Sequence, residues 1–182
     1  MPARRRNLFT RIACSAAFAL TVLIGIAAGR AYADALDEAF PASDWRRAKF
    51  ATGFTADCMS KRCGSPAQVA YSRGPANPTV ADNIRSGMIN REWAEKLAAS
   101  FRKSQKDEIT VVSFTVQTGQ VPGWAMVYEC NCEGTMNYIS SRIVSGAKST
   151  MTFYALAKTS ESAEENMNKL IGVVLGARAS SR

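Results

Sequence analysis

The sequence contains no histidine. That absence removes Ser-His-Asp and Cys-His catalysis, histidine metal sites and a histidine pH switch. An enzyme built on this chain would have only carboxylates, Lys, Tyr, Ser or Cys to work with. No motif that specifies a reaction is present, no internal repeat occurs, and no cofactor is expected. Acidic residues are missing from the first 33 positions, where Arg4, Arg5, Arg6, Arg11 and Arg30 supply the only charges.

That acid-free segment has the three parts of an export signal. A basic start is followed by an apolar run, Ile12 to Gly29, and then by Ala31-Tyr32-Ala33, a small-x-small triplet of the kind signal peptidase cuts after. Residues 1–33 are therefore read as a signal peptide, with the mature chain beginning at Asp34. The competing reading is an uncleaved anchor. The run has 18 residues, the lower limit for a transmembrane helix, and its many Ala and Gly make it weakly apolar. Cys14 lies near the start of the run, the wrong place for a lipoprotein cysteine. Arg5-Arg6-Asn7-Leu8-Phe9 resembles a twin-arginine signal. A domain closed by disulfides crosses more naturally unfolded, so ordinary secretion is favoured. The expected compartment is the bacterial periplasm or the exterior, with no stable membrane insertion after cleavage.

Removing the signal changes the charge. The whole chain is +8, with 23 basic and 15 acidic residues; the mature part keeps 18 basic residues and all 15 acids, for +3. Its basic residues are scattered, so nucleic acid is not an expected partner. The mature chain, 149 residues, is one domain of common size, able to bury about two thirds of its unfolded surface.

The predicted fold class is α+β: a mostly antiparallel sheet covered by helices. Residues 34–44 read as a short helix or arm. Residues 45–57 read as one strand, 58–64 as a turn flanked by cysteines, and 67–72 as the returning strand of an N-terminal hairpin. Residues 73–78 read as a loop by their Gly and Pro. A long helical region spans 79–104, opened by Thr79 with Asp82 three residues on. Its stripe is Val80, Ile84, Met88, Trp93, Leu97 and Phe101, and Gly87 and Asn90 put a break near 87–91. A four-strand meander follows over 109–157, with strands at 109–117, 124–132, 136–144 and 150–157. A C-terminal helix runs from Ser160 to Leu175, with acids in its first turns and an apolar face of Ala163, Met167, Leu170, Ile171, Val174 and Leu175. Both helical regions are expected to cover one side of the sheet. The domain is taken as 34–176, with 177–182 a frayed tail.

Cys58, Cys63, Cys130 and Cys132 are the main chemical feature, and four cysteines allow three pairings. Residues i and i+2 of a strand lie about 6.5 to 7 Å apart, at the edge of what a disulfide spans, so a 130–132 bond would be strained. A cross-tie such as 63 to 130 closes roughly 70 residues and is credited with about 4 kcal/mol, against about 2 for a local 58–63 clasp. Cross-ties are preferred on this reasoning, and the two local pairs are the rival. A structural staple is favoured over thiol redox chemistry at Cys130-Asn131-Cys132 and over a four-thiolate metal site. Redox cysteines usually start a helix, and zinc spacing is absent from both pairs.

Other residues invite functional readings beside plainer ones. Tyr128, Tyr138, Tyr154, Trp124 and Trp93 could line a pocket, but aromatics at strand spacing favour core and cross-strand pairs. Glu129, Asn131 and Glu133 share the strand face opposite the cysteines, where paired acids could serve glycoside chemistry; a solvated face is preferred. Ser140-Ser141-Arg142 and Ser149-Thr150 have no base near them in sequence. Arg46-Arg47 and Lys61-Arg62 could meet an anionic partner. The sequence thus points to an exported, non-enzymatic binding or accessory protein whose partner is an unknown protein or small ligand. The alternatives are a thiol-disulfide or metal-handling protein and a secreted factor acting on a host.

Overall fold

A computed structural model describes residues 35–105, 108–132 and 134–179, the side chains of 101–105, 132 and 177–179 excepted. The expected signal, residues 1–33, lies outside the described residues, as do 180–182 of the expected tail.

Period-two patterning and short turns give the second half of the domain its form. Strands β4 (Glu108–Gln117), β5 (Gly123–Cys132), β6 (Thr135–Ser145) and β7 (Ser149–Ala157) follow one another as an antiparallel meander. The turn before β6 ends on Gly134, whose φ of 77° only glycine adopts without cost. The N-terminal part adds three strands: β1 (Trp45–Phe50), β2 (Gly53–Cys58) and β3 (Gln68–Pro75). Together they form one seven-stranded antiparallel sheet in the order β1-β2-β3-β7-β6-β5-β4. The last strand in sequence therefore lies at the centre, between β3 and β6.

This corrects the expected strand count. Residues 45–57 are not one strand but a hairpin, in which Phe50 pairs with Gly53 across the two-residue turn Ala51-Thr52. Ala-Thr lacks the Asn-Gly or Asp-Gly chemistry that normally flags such turns. The expected loop 73–78 is also half strand. Arg73, Gly74 and Pro75 continue β3 and pair with Met151, Thr150 and Ser149. Pro75 is tolerated because the pairing with β2 ends at Ser72, so Pro75 has a strand neighbour on one side alone, β7.

Helices lie on both faces of the sheet rather than on one. The helical residues 35–39 (α1) and α4 (Ser160–Ala179) share a core with β1, β2, β3 and β7, built on Leu36, Phe40, Phe54, Phe153, Met167 and Leu170. Helices α2 (Pro78–Arg85) and α3 (Arg91–Gln105) cover the other face with Ile84, Ile89, Ala94, Ala98, Trp124 and Tyr154. Strand β7 shows why: Met151, Phe153 and Ala155 point to α4 while Tyr154 points to the α2–α3 side. Its near-continuous apolar run, MTFYALA, is the signature of a strand buried on both faces. Each fully buried phenylalanine contributes about 1.5 to 3 kcal/mol by leaving water.

The break in the first helical region falls at residues 86–90, between α2 and α3. Gly87 turns the chain with φ 76°, and Asn90 Oδ1 accepts from Trp93 N at 2.9 Å to start α3. The cap of α2 is Asn77, which accepts from Val80 N at 3.2 Å ahead of Pro78, and not Thr79. The expected stripe is buried only in part: Ile84 is fully buried and Val80 and Trp93 pack against the same core. Met88 is 65% exposed, whereas Ala81, Ile89, Ala94 and Ala98 are buried. Small residues let the helices lie close on the sheet, and a pattern built on large apolar residues passes over them. Helix α4 runs to Ala179, past the expected end at Leu175 and into the segment expected to fray.

Candidate functional site

The cysteine pairing is local. Cys58 ends β2, the chain turns through Ser60 and a single 3-10 turn (Lys61–Cys63), and Cys63 bonds back to Cys58 with Cα atoms 5.8 Å apart. The preferred cross-tie is thus overturned, and the topology gives the reason. Strands β2 and β5 are four strand spacings apart, roughly 19 Å. Moreover, Cys58 belongs to the core on the α4 face and Cys130 to the core on the other. Cys130 is 1% exposed and itself disulfide-bonded. Since Cys58 and Cys63 hold each other, neither is its partner; the Cys132 side chain lies outside the described residues.

Asp44 organises the Cys58–Cys63 turn. Its carboxylate accepts from Ser60 Oγ at 2.6 Å and Arg62 Nε at 3.0 Å through one oxygen, and from Ser43 Oγ at 3.2 Å through the other. Its backbone carbonyl accepts from Met59 N at 2.7 Å. The Ser60 hydrogen bond, with help from Ser43 and the Arg62 charge, holds the Asp44 carboxyl below its ordinary value despite partial desolvation. A depressed folded-state pKa stabilises the fold above the unfolded value and is lost as pH falls through the folded one. In urea titrations, wild type should exceed Asp44→Asn by a constant margin from neutral pH down to about 4, and the margin should close below that. Breaking the clasp with Cys58→Ser/Cys63→Ser should cost about 2 kcal/mol of unfolding free energy, as expected for so short a loop. Non-reducing peptide mapping should return a 58–63 pair and no 63–130 pair.

Beside this turn lies a cleft of about 370 Å³ between α1, the start of β1, the disulfide turn and the first half of α4. Trp45 and Phe40 stand edge to face behind it, with ring centroids 5.1 Å apart. Three cations (Lys61, Arg62, Lys169) and two carboxylates (Asp44, Glu165) line it, together with Ser162 and Asn166. Glu165 is paired with Lys169 at 2.7 Å, one helical turn away. That pairing, hydrogen bond first, holds the Glu165 carboxyl below its ordinary value. Asn166 is 8% exposed, and among the described residues its amide has no hydrogen-bond partner. The cleft was not legible as a site: its residues come from three separate segments, each with the look of a solvated surface. One signal was available. Asn166 sits on the same helical face as Ala163 and Leu170, a polar residue at a core position.

The other residues singled out from sequence are distributed otherwise. Trp93, Phe114 and Trp124 form an aromatic cluster, with centroids 5.7 Å (93–124), 6.2 Å (114–124) and 6.4 Å (93–114) apart. Tyr128 and Tyr154 pack on that face, whereas Tyr138 packs on the α4 face, so the aromatics line no common pocket. Tyr138 stands opposite Glu129; the Glu129 charge, then burial, pushes the phenol up. Glu129 is thereby committed to a cross-strand pair, and Glu133 lies outside the described residues. Thr150 Oγ1 accepts from Asn77 N at 3.1 Å, tying β7 to the start of α2. Arg142 donates to Asn168 at 3.1 Å. Arg46 pairs with Asp57 at 3.1 Å, and Arg47 with Asp37.

No helix among the described residues is long and apolar enough to cross a membrane. No protein-family model matches the chain, and no curated protein is significantly similar to it.

Proposed function

We propose that the chain is an exported bacterial binding or accessory protein, periplasmic or secreted, and that the cleft beside the Cys58–Cys63 turn is where it binds. The observation that carries this reading is Asn166. Its side chain is largely buried on the inner face of α4, yet the amide makes no side-chain hydrogen bond among the described residues and borders a cleft of ligand-pocket size. The basic, acid-free leader followed by Ala31-Tyr32-Ala33 supports export, and a clasp between Cys58 and Cys63 suits an oxidising compartment.

Thiol chemistry at Cys130-Asn131-Cys132 has less support. Cys130 is buried in the α2–α3 core, out of reach of a reagent, and a bonded sulfur offers no thiolate to a metal. Cell fractionation with intact-mass measurement tests export: the processed chain should begin at Asp34 and be recovered outside the cytoplasm. A full-length chain retained in the cytoplasm, or substrate turnover abolished by a single side-chain change in the cleft, would overturn the reading.

A further inference from the structure

The chemistry left unused in the cleft narrows the ligand, and we infer that the cleft binds a small anion bearing a carboxylate or phosphate group. The inference rests on the cleft being a binding site at all. Its two carboxylates are already engaged. Asp44 is held by Ser60, Ser43 and Arg62, and Glu165 by Lys169. What stays uncommitted is mostly donor. Among the described residues the Lys61 ammonium has no acidic partner, Arg62 spends only its Nε on Asp44, and the Asn166 amide donates to nothing. Three cations against two carboxylates leave the lining at +1.

An anion would satisfy these donors together. Lys61 would supply charge, the terminal nitrogens of Arg62 a planar donor pair, and Asn166 an amide hydrogen bond from the inner face of α4. A cationic ligand would meet carboxylates whose lone pairs are in use. A neutral one would leave Lys61 unpaired. The volume, about 370 Å³, is at the small end of ligand pockets, so the anion is a metabolite-sized molecule and not a chain. The Cys58–Cys63 bond fixes the turn that carries Lys61 and Arg62, so these donors are held in place before the ligand arrives.

The test is titration of the full-length chain, by calorimetry and by amide chemical shifts, with four probes: inorganic phosphate, succinate, glucose and putrescine. The expected result is saturable binding of phosphate or succinate, with shifts centred on residues 61–64 and 162–169. Affinity should fall at least tenfold in Lys61→Ala and in Asn166→Leu, and should be unchanged in Lys49→Ala, a cation on β1 outside the cleft. Anion binding that both cleft variants leave intact would overturn the inference. Binding of glucose or putrescine alone, with shifts in the same residues, would overturn the anion assignment and leave the binding reading standing. If no probe moves the cleft resonances, the anion assignment fails. If a broader set of neutral, cationic and peptide probes then moves none either, the binding reading fails with it.

Discussion

Gly53→Ala should abolish stable folding, at a cost above about 3 kcal/mol. Gly53 opens β2 opposite Ser72, and a Cβ built on it would land on the carbonyl oxygen of Tyr71 in β3. The obstacle is backbone, not the end of a flexible side chain, so relief requires the two strands to separate. That separation breaks the β2–β3 ladder and pulls Phe54, 1% exposed, away from Tyr71. Gly119→Ala is the matched control: its Cβ would meet nothing within 4 Å, and stability should change by less than about 0.5 kcal/mol. Circular dichroism during urea unfolding reads both. A native-like midpoint for Gly53→Ala would show that the close approach of β2 and β3 is not needed.

Phe153→Ala should cost about 4 kcal/mol and lower the melting temperature by roughly 10 °C. Phe153 is 0% exposed in the central strand, with its ring centroid 5.3 Å from that of Tyr71. It packs in the core that α1, β2, β3 and α4 share, so no single element can shift to fill the space it leaves. Phe153→Leu restores most of the volume and should recover more than half of the loss. Differential scanning calorimetry separates the two. Equal loss in both variants would mean that ring stacking, not volume, holds this part of the core.

The residues that were legible and those that were not differ in a physical way. Turns carrying glycine at a backbone that needs it, as at Gly134, announce themselves; the Ala51-Thr52 turn does not, because its residues carry no turn preference. Gly53 in the middle of an apparent strand was a hint of close backbone approach. Large apolar residues traced the strands and α4 well. They served less well around α2 and α3, where Ala94 and Ala98 join Ile84 and Trp93 at the contact while Met88, between the helices, faces water. Pairing of the cysteines was decided by which strands became neighbours, a quantity no local pattern encodes. The cleft is the extreme case, since Asp44, Lys61 and Asn166 meet only after the sheet has placed them.

Strand order also has a consequence in time. The chain is synthesised from its N-terminus, and β7 is the last strand made, yet β7 is the one that joins β3 to β6. Before residue 157 exists, β1-β2-β3 and β4-β5-β6 are two separate three-stranded pieces, each with an open inner edge. Strand β3 waits through more than seventy residues for its partner, from Gln68 to the Leu156 that pairs with it. A growing chain of this protein therefore carries the open β3 edge through more than seventy residues of synthesis, and the arrival of β7 closes that edge and the newly made β6 edge in a single late event.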